Sequence, residues 1–214
     1  MTLKKIITAI ALFGLVQIAF AQANGTTAAA DASAAKTPVE FIEQAVNSTL
    51  HSIQNDPSIK MGDMVRISQV VEQFVASYVD FRKTTRLAAG RYWKDATPEQ
   101  QEALALAFRA TLLRTYAGAF TRVEPATAMK IMPFRGDLTA SDTVVRTQLF
   151  RRPTSDATIL DYRLEKTPTG WKIYDVNVEN IWLIENYRNQ FSQQIAQNGI
   201  AGLIDALNQH NQKQ

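Results

Sequence analysis

Pro125 separates two kinds of spacing in this sequence, and that switch restricts the fold more than any other feature. Before it, apolar residues recur every three or four positions; after it they alternate through four short segments; from Glu179 the helical spacing returns. Helices, then strands, then helices again predict an α+β fold in a single domain.

The helical half carries its own punctuation. Pro38 opens a helix whose face is Ile42, Ala45, Val46, Thr49 and Ile53, and Asn55-Asp56-Pro57-Ser58 closes it with turn residues. A second helix begins near Asp63, with Ile67, Val70, Val71, Phe74, Val75 and Tyr78 on its stripe. Asp80 to Lys94 reads as a shorter helix, capped by Asp80 and ended by Gly90. Thr97-Pro98-Glu99-Gln100 is a capping box with proline in the first helical position. It starts a long helix to about Phe120 on which Leu104, Phe108, Leu112 and Tyr116 repeat every four residues.

Beyond Pro125, residues 126–135, 143–151, 158–166 and 171–178 read as strands, the last two joined through Thr167-Pro168-Thr169-Gly170. Leu160, Tyr162 and Leu164 point to one face of the third strand. Asp161, Arg163 and Glu165 point to the other, which is expected to be wet. A helix is then expected from Glu179, with Ile181, Ile184, Tyr187, Phe191 and Ile195 on its stripe. Gly199 breaks it before a last amphipathic turn of Ile200, Leu203, Ile204 and Leu207.

The first residues look like an export signal. MTLKK is basic, IITAIALFGLVQIAF is apolar, and Ala19-Phe20-Ala21 has the small-x-small form of a cleavage site, so residues 1–21 are expected to be a signal peptide. The apolar run of roughly 15 residues is short of the ~20 that span a bilayer. A small, polar lead-in, 22–37, precedes the folded domain, 38–210. Cleavage would remove Lys4 and Lys5 and bring the formal charge from +3 to about +1, so charge gives no argument for nucleic acid. The chain has no cysteine, which excludes disulfides, thiol chemistry and cysteine-based metal sites.

Groups that do chemistry are scarce. The two histidines, His51 and His210, are far apart in sequence, and no phosphate-binding loop, nucleophile elbow or paired-histidine zinc motif occurs. No metal site and no catalytic residue are expected. Asp175 and Asp161 could activate water in a lipid-acting hydrolase, but a carboxylate flanked by Tyr174 and Val176 reads better as a buried, hydrogen-bonded structural group. Aromatic residues are the positive signal, and composition alone does not separate a filled core from a lined hole.

Two segments go further. Tyr78–Phe120 carries Asp80-Phe81, Gly90 with Trp93, Pro98-Glu99-Gln100, and Leu112-Leu113 with Tyr116. Trp171–Leu207 carries Trp171-Lys172, Tyr174-Asp175-Val176 and Asn186-Tyr187-Arg188 with Gln190-Phe191. In these the chain resembles the MlaC, or toluene-tolerance, family of periplasmic phospholipid-binding proteins, over essentially all of the mature sequence. One corner departs from the family pattern: Asn180-Ile181-Trp182 stands where Gly-Val-Ser is usual. Asn can take the left-handed conformation of glycine, whereas Trp182 would narrow the cavity, cover its mouth or pack outside it.

The resemblance implies helices packed around a curved, mostly antiparallel sheet of about four strands that encloses an apolar cavity. It implies a phospholipid ligand and no enzymatic activity. It also implies transfer between an outer-membrane lipoprotein complex and an inner-membrane ABC transporter with an MCE-domain subunit, a system that maintains outer-membrane lipid asymmetry. Expected cavity residues in the helical half are Tyr78, Phe81, Trp93, Phe108, Leu112 and Tyr116. Those on the strands are Val145, Leu149, Leu160, Tyr162, Val176 and Val178, with Ile181 and Trp182 at the corner. Arg146, Arg163 and Arg188 are the expected head-group cations. A carrier of a different apolar ligand, or an adaptor with a solid core, would use the same residue types.

Overall fold

The computed structural model describes residues 37–151 and 157–212, so the expected signal segment and nearly all of the lead-in lie outside the described residues. Helix α1 (Pro38–Gln54) starts at a second capping box, in which Thr37 accepts from the Glu40 N–H and Glu40 accepts from the Thr37 N–H. The turn at 55–58 continues into a one-turn helix, α2 (Pro57–Lys60), because Asp56 caps it from Ser58 and Ile59. Asp63 caps α3 (Met64–Phe74) and Asp80 caps α4 (Phe81–Ala89). Gly90, at φ +59°, ends α4, and residues 90–95 form a 3₁₀ turn rather than more α-helix. The Thr97 capping box forms as expected and starts α5 (Pro98–Thr121).

The sheet is open and antiparallel, in the order β1 (Thr127–Ile131), β2 (Asp142–Arg151), β3 (Ala157–Thr167), β4 (Gly170–Val178), β5 (Ile181–Trp182). Among the described residues it has five strands, where about four were expected. Glu179 and Asn180 both take positive φ, 53° and 68°, and form a two-residue hairpin that pairs Val178 with Ile181. The helix expected from Glu179 therefore begins later, as α6 (Leu183–Gln212). Gly199, at φ +67°, kinks it, and the chain continues beyond the kink for several further helical turns rather than one.

One irregularity orients everything on β4. Leu164 pairs with Ile173 and Arg163 with Asp175, so Tyr174 is an extra residue opposite the β3 backbone, a β-bulge. Strict alternation would put Asp175 on the face of Trp171 and Ile173; the bulge moves it beside Arg163. That polar face is drier than expected. Lys83 of α4 reaches Glu165, and α6 begins against Asp175.

Among the described residues, buried side chains form three clusters. Ala88, Trp93, Leu104, Phe108, Tyr187, Phe191 and Leu203 join α4, α5 and α6. Phe41, Ile42, Tyr78, Val145, Tyr162, Leu164 and Trp171 join α1 to the inner face of the sheet. Ile53, Ile59, Ile67, Val70 and Ala117 join α1, α2, α3 and the end of α5.

Candidate functional site

The three clusters do not merge. Where they meet lies a cavity of about 570 Å³, within the range of small-molecule pockets. Leu112, Tyr116, Phe81 and Leu183 come to it from the first cluster and its margin. Leu160, Val176, Ile173 and Val79 come from the second, and Val71, Val75, Leu113 and Phe120 from the third. The backbone entering α4 is fixed at this seam by β4: the Asp80 N–H donates to the Ile173 carbonyl at 2.8 Å and the Ile173 N–H to the Tyr78 carbonyl at 2.9 Å. Exposed lining residues mark the opening between α3 and α5, with Glu72 on one helix and Leu106, 56% exposed, on the other.

Polar groups in the wall are few and mostly neutralised. Thr84 donates its hydroxyl to the Asp80 and Tyr174 carbonyls. The Tyr174 hydroxyl donates to Asp142 at 3.0 Å, and burial, with that partner, pushes the phenol up to about 12, so it stays protonated. Asp175 is 2% exposed, and both of its carboxylate oxygens are hydrogen-bonded. One oxygen accepts from Arg163 at 2.9 Å; the other accepts from the Val176 and Ile184 N–H groups at 3.0 Å. Burial raises the Asp175 pKa, against the pull of the Ile184 N–H, Arg163 and the Val176 N–H. A carboxylate held this way, with its side chain out of contact with solvent, anchors the start of α6. Among the described residues no three His, Asp or Glu side chains converge to hold a metal ion.

Six of the expected cavity residues line this space: Phe81, Leu112, Tyr116, Leu160, Val176 and Val178. Eight do not. Phe108 and Trp93 are in the solid helical cluster, where Phe108 meets Tyr187 and Phe191 edge to face at 4.7 and 4.8 Å. Tyr78, Val145 and Tyr162 are in the cluster between α1 and the sheet, where Tyr78 packs edge-on against Phe41. Leu149 lies further along β2, opposite Met129 and Thr158. Ile181 is 61% exposed on β5, and Trp182 stacks outside the cavity on the Arg163 guanidinium, 3.9 Å from the ring centre.

None of the three expected head-group arginines lines the cavity. Arg146 is on the exposed face of β2, 3.7 Å from Asp161. Arg163 is held by Asp175 and Trp182, and Arg188 donates to the Leu87 carbonyl near the end of α4. The cation that does line it is Arg109 of α5, ion-paired with Glu72 of α3 and lying 5.0 Å over the Phe81 ring. A second stripe of α5 carried the signal: Leu106, Arg109, Ala110, Leu113, Tyr116 and Phe120 recur at three- and four-residue spacing beside the stripe through Phe108.

Comparison with known proteins agrees with this architecture. A family model for the MlaC protein matches residues 43–209. The crystal structure of a phospholipid-binding protein from Ralstonia solanacearum, solved in complex with a phospholipid, superposes with a TM-score of 0.75 at 38% sequence identity. The match covers 79% of this chain and 94% of that one. A family match that spans most of the sequence, with a shared fold at this level of identity, establishes that this chain belongs to the MlaC family.

Proposed function

We propose that this protein is a periplasmic phospholipid carrier, holding acyl chains in the cavity between α3, α5 and β4 and passing the lipid between membrane complexes. The observation that carries the reading is the cavity itself: an almost wholly apolar space bounded by three separate packed clusters, with its charged groups paired. The phospholipid bound by the Ralstonia relative supports the same ligand class here. The exported location and the partners rest on the family. Those partners are an outer-membrane lipoprotein complex and an ABC transporter with an MCE-domain subunit.

The physics of transfer suits such a protein. Two acyl chains of roughly 30 methylenes exposed to water cost on the order of 24 kcal/mol, at about 0.8 kcal/mol per CH₂. An apolar cavity replaces bilayer with a similar medium, so the net transfer free energy is small and the lipid can be both loaded and released. This exchange needs no bond-making group, and direction is left to the partners.

Native mass spectrometry of the protein purified without detergent tests the proposal. A stoichiometric adduct that dissociates to phosphatidylethanolamine or phosphatidylglycerol is the expected result. A bare mass that persists after incubation with phospholipid vesicles would overturn it. An adduct of another mass would assign the cavity to a different apolar ligand.

A further inference from the structure

The apolar cavity has a polar neighbour. A second hollow of about 430 Å³ shares Val79, Phe81 and Arg109 with it. To these it adds Lys172, Thr167 and Thr169 from the β3–β4 hairpin and Asp80 from the start of α4. Arg109 thus stands at the junction, its guanidinium over the ring of Phe81, which also lines both spaces. Among the described residues it is the one cation lining the apolar cavity, and Lys172 is the second cation of the polar hollow.

We propose that this polar hollow takes the lipid head group, with Arg109 binding the phosphodiester after giving up Glu72. The assignment rests on the phospholipid-carrier reading above and specifies where the charged end of that ligand is recognised. Arg109 is 27% exposed and Glu72 60% exposed in their ion pair, so the two partners are unequal. Glu72 can return to water at small cost, whereas Arg109 would keep an anion only if another replaced it. A phosphodiester is such an anion: it carries one negative charge, and its two free oxygens match the guanidinium fork. Exchanging carboxylate for phosphate keeps Arg109 paired with an anion both before and after loading, while Glu72 stays charged in water beside the mouth.

The other polar groups of the hollow fit this use. Lys172 Nζ donates to the Ser77 carbonyl, which uses one of its three protons and leaves two for an oxygen ligand. The anion already in the hollow, Asp80, has one oxygen committed to the Lys83 N–H at 2.8 Å, as the cap of α4. Thr169 lies on the exposed hairpin, with its hydroxyl 3.1 Å from that of Thr167.

The mechanism makes opposite predictions for the two members of one ion pair, which a merely structural pair would not do. Retention of a phosphatidylethanolamine and of a diacylglycerol with the same acyl chains is measured by native mass spectrometry for the native protein, Arg109→Gln and Glu72→Gln. Arg109→Gln should lose phosphatidylethanolamine affinity by about tenfold or more, the scale of one charge-assisted hydrogen bond, and keep its diacylglycerol affinity. Glu72→Gln, freed of the competing carboxylate, should bind phosphatidylethanolamine more tightly. Lys172→Gln should show a weaker loss of the same kind as Arg109→Gln. Equal phosphatidylethanolamine binding by all variants, with the native protein binding both lipids, would overturn the head-group assignment and leave the carrier intact. A native protein that takes up neither lipid would overturn the carrier reading itself. Binding of inorganic phosphate alone at the hollow, as strong as that of the lipid, would reassign it to a free anion.

Discussion

Phe108 and Leu112 are one turn apart on α5, yet they belong to different kinds of interior. Phe108 is wholly buried, with two rings against its edges. Leu112 touches the same cluster on one side and lines open space on the other, and Tyr116, a turn further on, lines it too. The difference comes from helix geometry. At 3.6 residues per turn, a stripe that repeats every four residues rotates by about 40° per repeat, and so by about 120° over three repeats. Leu104 to Tyr116 is three repeats. The stripe therefore begins facing α6 and ends facing the gap between α3 and β4. All four side chains are large and mainly apolar; what changes is whether another element stands opposite.

This contrast can be broken most forcefully by truncation. Phe108→Ala should cost about 3–5 kcal/mol, the usual range for removing a fully packed ring. Leu113→Ala, on the wall, should cost only about 1–2 kcal/mol, because one side of that residue already lacks contact partners. Urea unfolding measures both, and equal losses would mean that the cavity is closed by collapse in solution. Enlargement reverses the logic. Val145 is 1% exposed and faces Tyr162 across the β2–β3 pair, so Val145→Trp should overpack the solid cluster by about 1–3 kcal/mol or more. Leu112→Trp has a cavity into which to grow. It should leave the unfolding midpoint of the lipid-free protein nearly unchanged while lowering lipid occupancy, as seen by native mass spectrometry.

That contrast also explains what could be read from the sequence. Features determined by near neighbours were legible: the Thr97 capping box, the Asp80 cap, the stop at Gly90 and the β3–β4 hairpin all form where their residues predict. So was the α+β order, since each period is local. Three things were not. The fifth strand depends on Glu179 taking a left-handed conformation that few residues other than Gly, Asn and Asp adopt, so the periodicity of Ile181 and Ile184 suggested helix. The bulge at Tyr174 shifts Asp175 to the Arg163 face, and no residue type in the strand announces it. Last, a hole has no composition of its own. Five of the fourteen residues expected at the cavity are packed in solid clusters, and Leu149, Ile181 and Trp182 lie elsewhere on the sheet, because burial and lining use the same side chains.

A pH titration examines the electrostatic side of the same comparison. Burial raises the carboxyls of Asp175 and Asp161, the latter against Arg146 and with one oxygen buried without a hydrogen-bond partner. Half-buried Asp56 and exposed Asp137 are instead held low, by hydrogen bonds from Arg66 and Thr139. A group whose folded pKa lies above its unfolded one binds more protons folded than unfolded between the two values, so stability falls as pH rises through that interval. Acidification towards the ordinary aspartate value of 3.8 should therefore stabilise the protein slightly. Below that value, the contributions of Asp56 and Asp137 begin to be lost, and the trend reverses. Asp175→Asn should flatten the gain above 3.8 and leave the acid loss alone, which urea midpoints across the range would show. A wild-type midpoint that only declines on acidification from neutrality would mean that Asp175 and Asp161 titrate normally in the folded chain.

The smallest effect expected is at Trp182, the residue that departs most from the family pattern. Its ring lies on Arg163, which is itself fixed by Asp175, and it lines neither the cavity nor the polar hollow. Trp182→Ala removes one half-exposed cation–π contact, worth about 0.5–1 kcal/mol, and should shift the unfolding midpoint by no more than that. Lipid occupancy should not change, nor should the relative retention of phosphatidylethanolamine and diacylglycerol. A rise in occupancy in Trp182→Ala would instead place the indole over the mouth in solution. The wall at β4 and β5 would then move when lipid enters, with Arg163 losing its stacking partner as Asp175 keeps hold of α6.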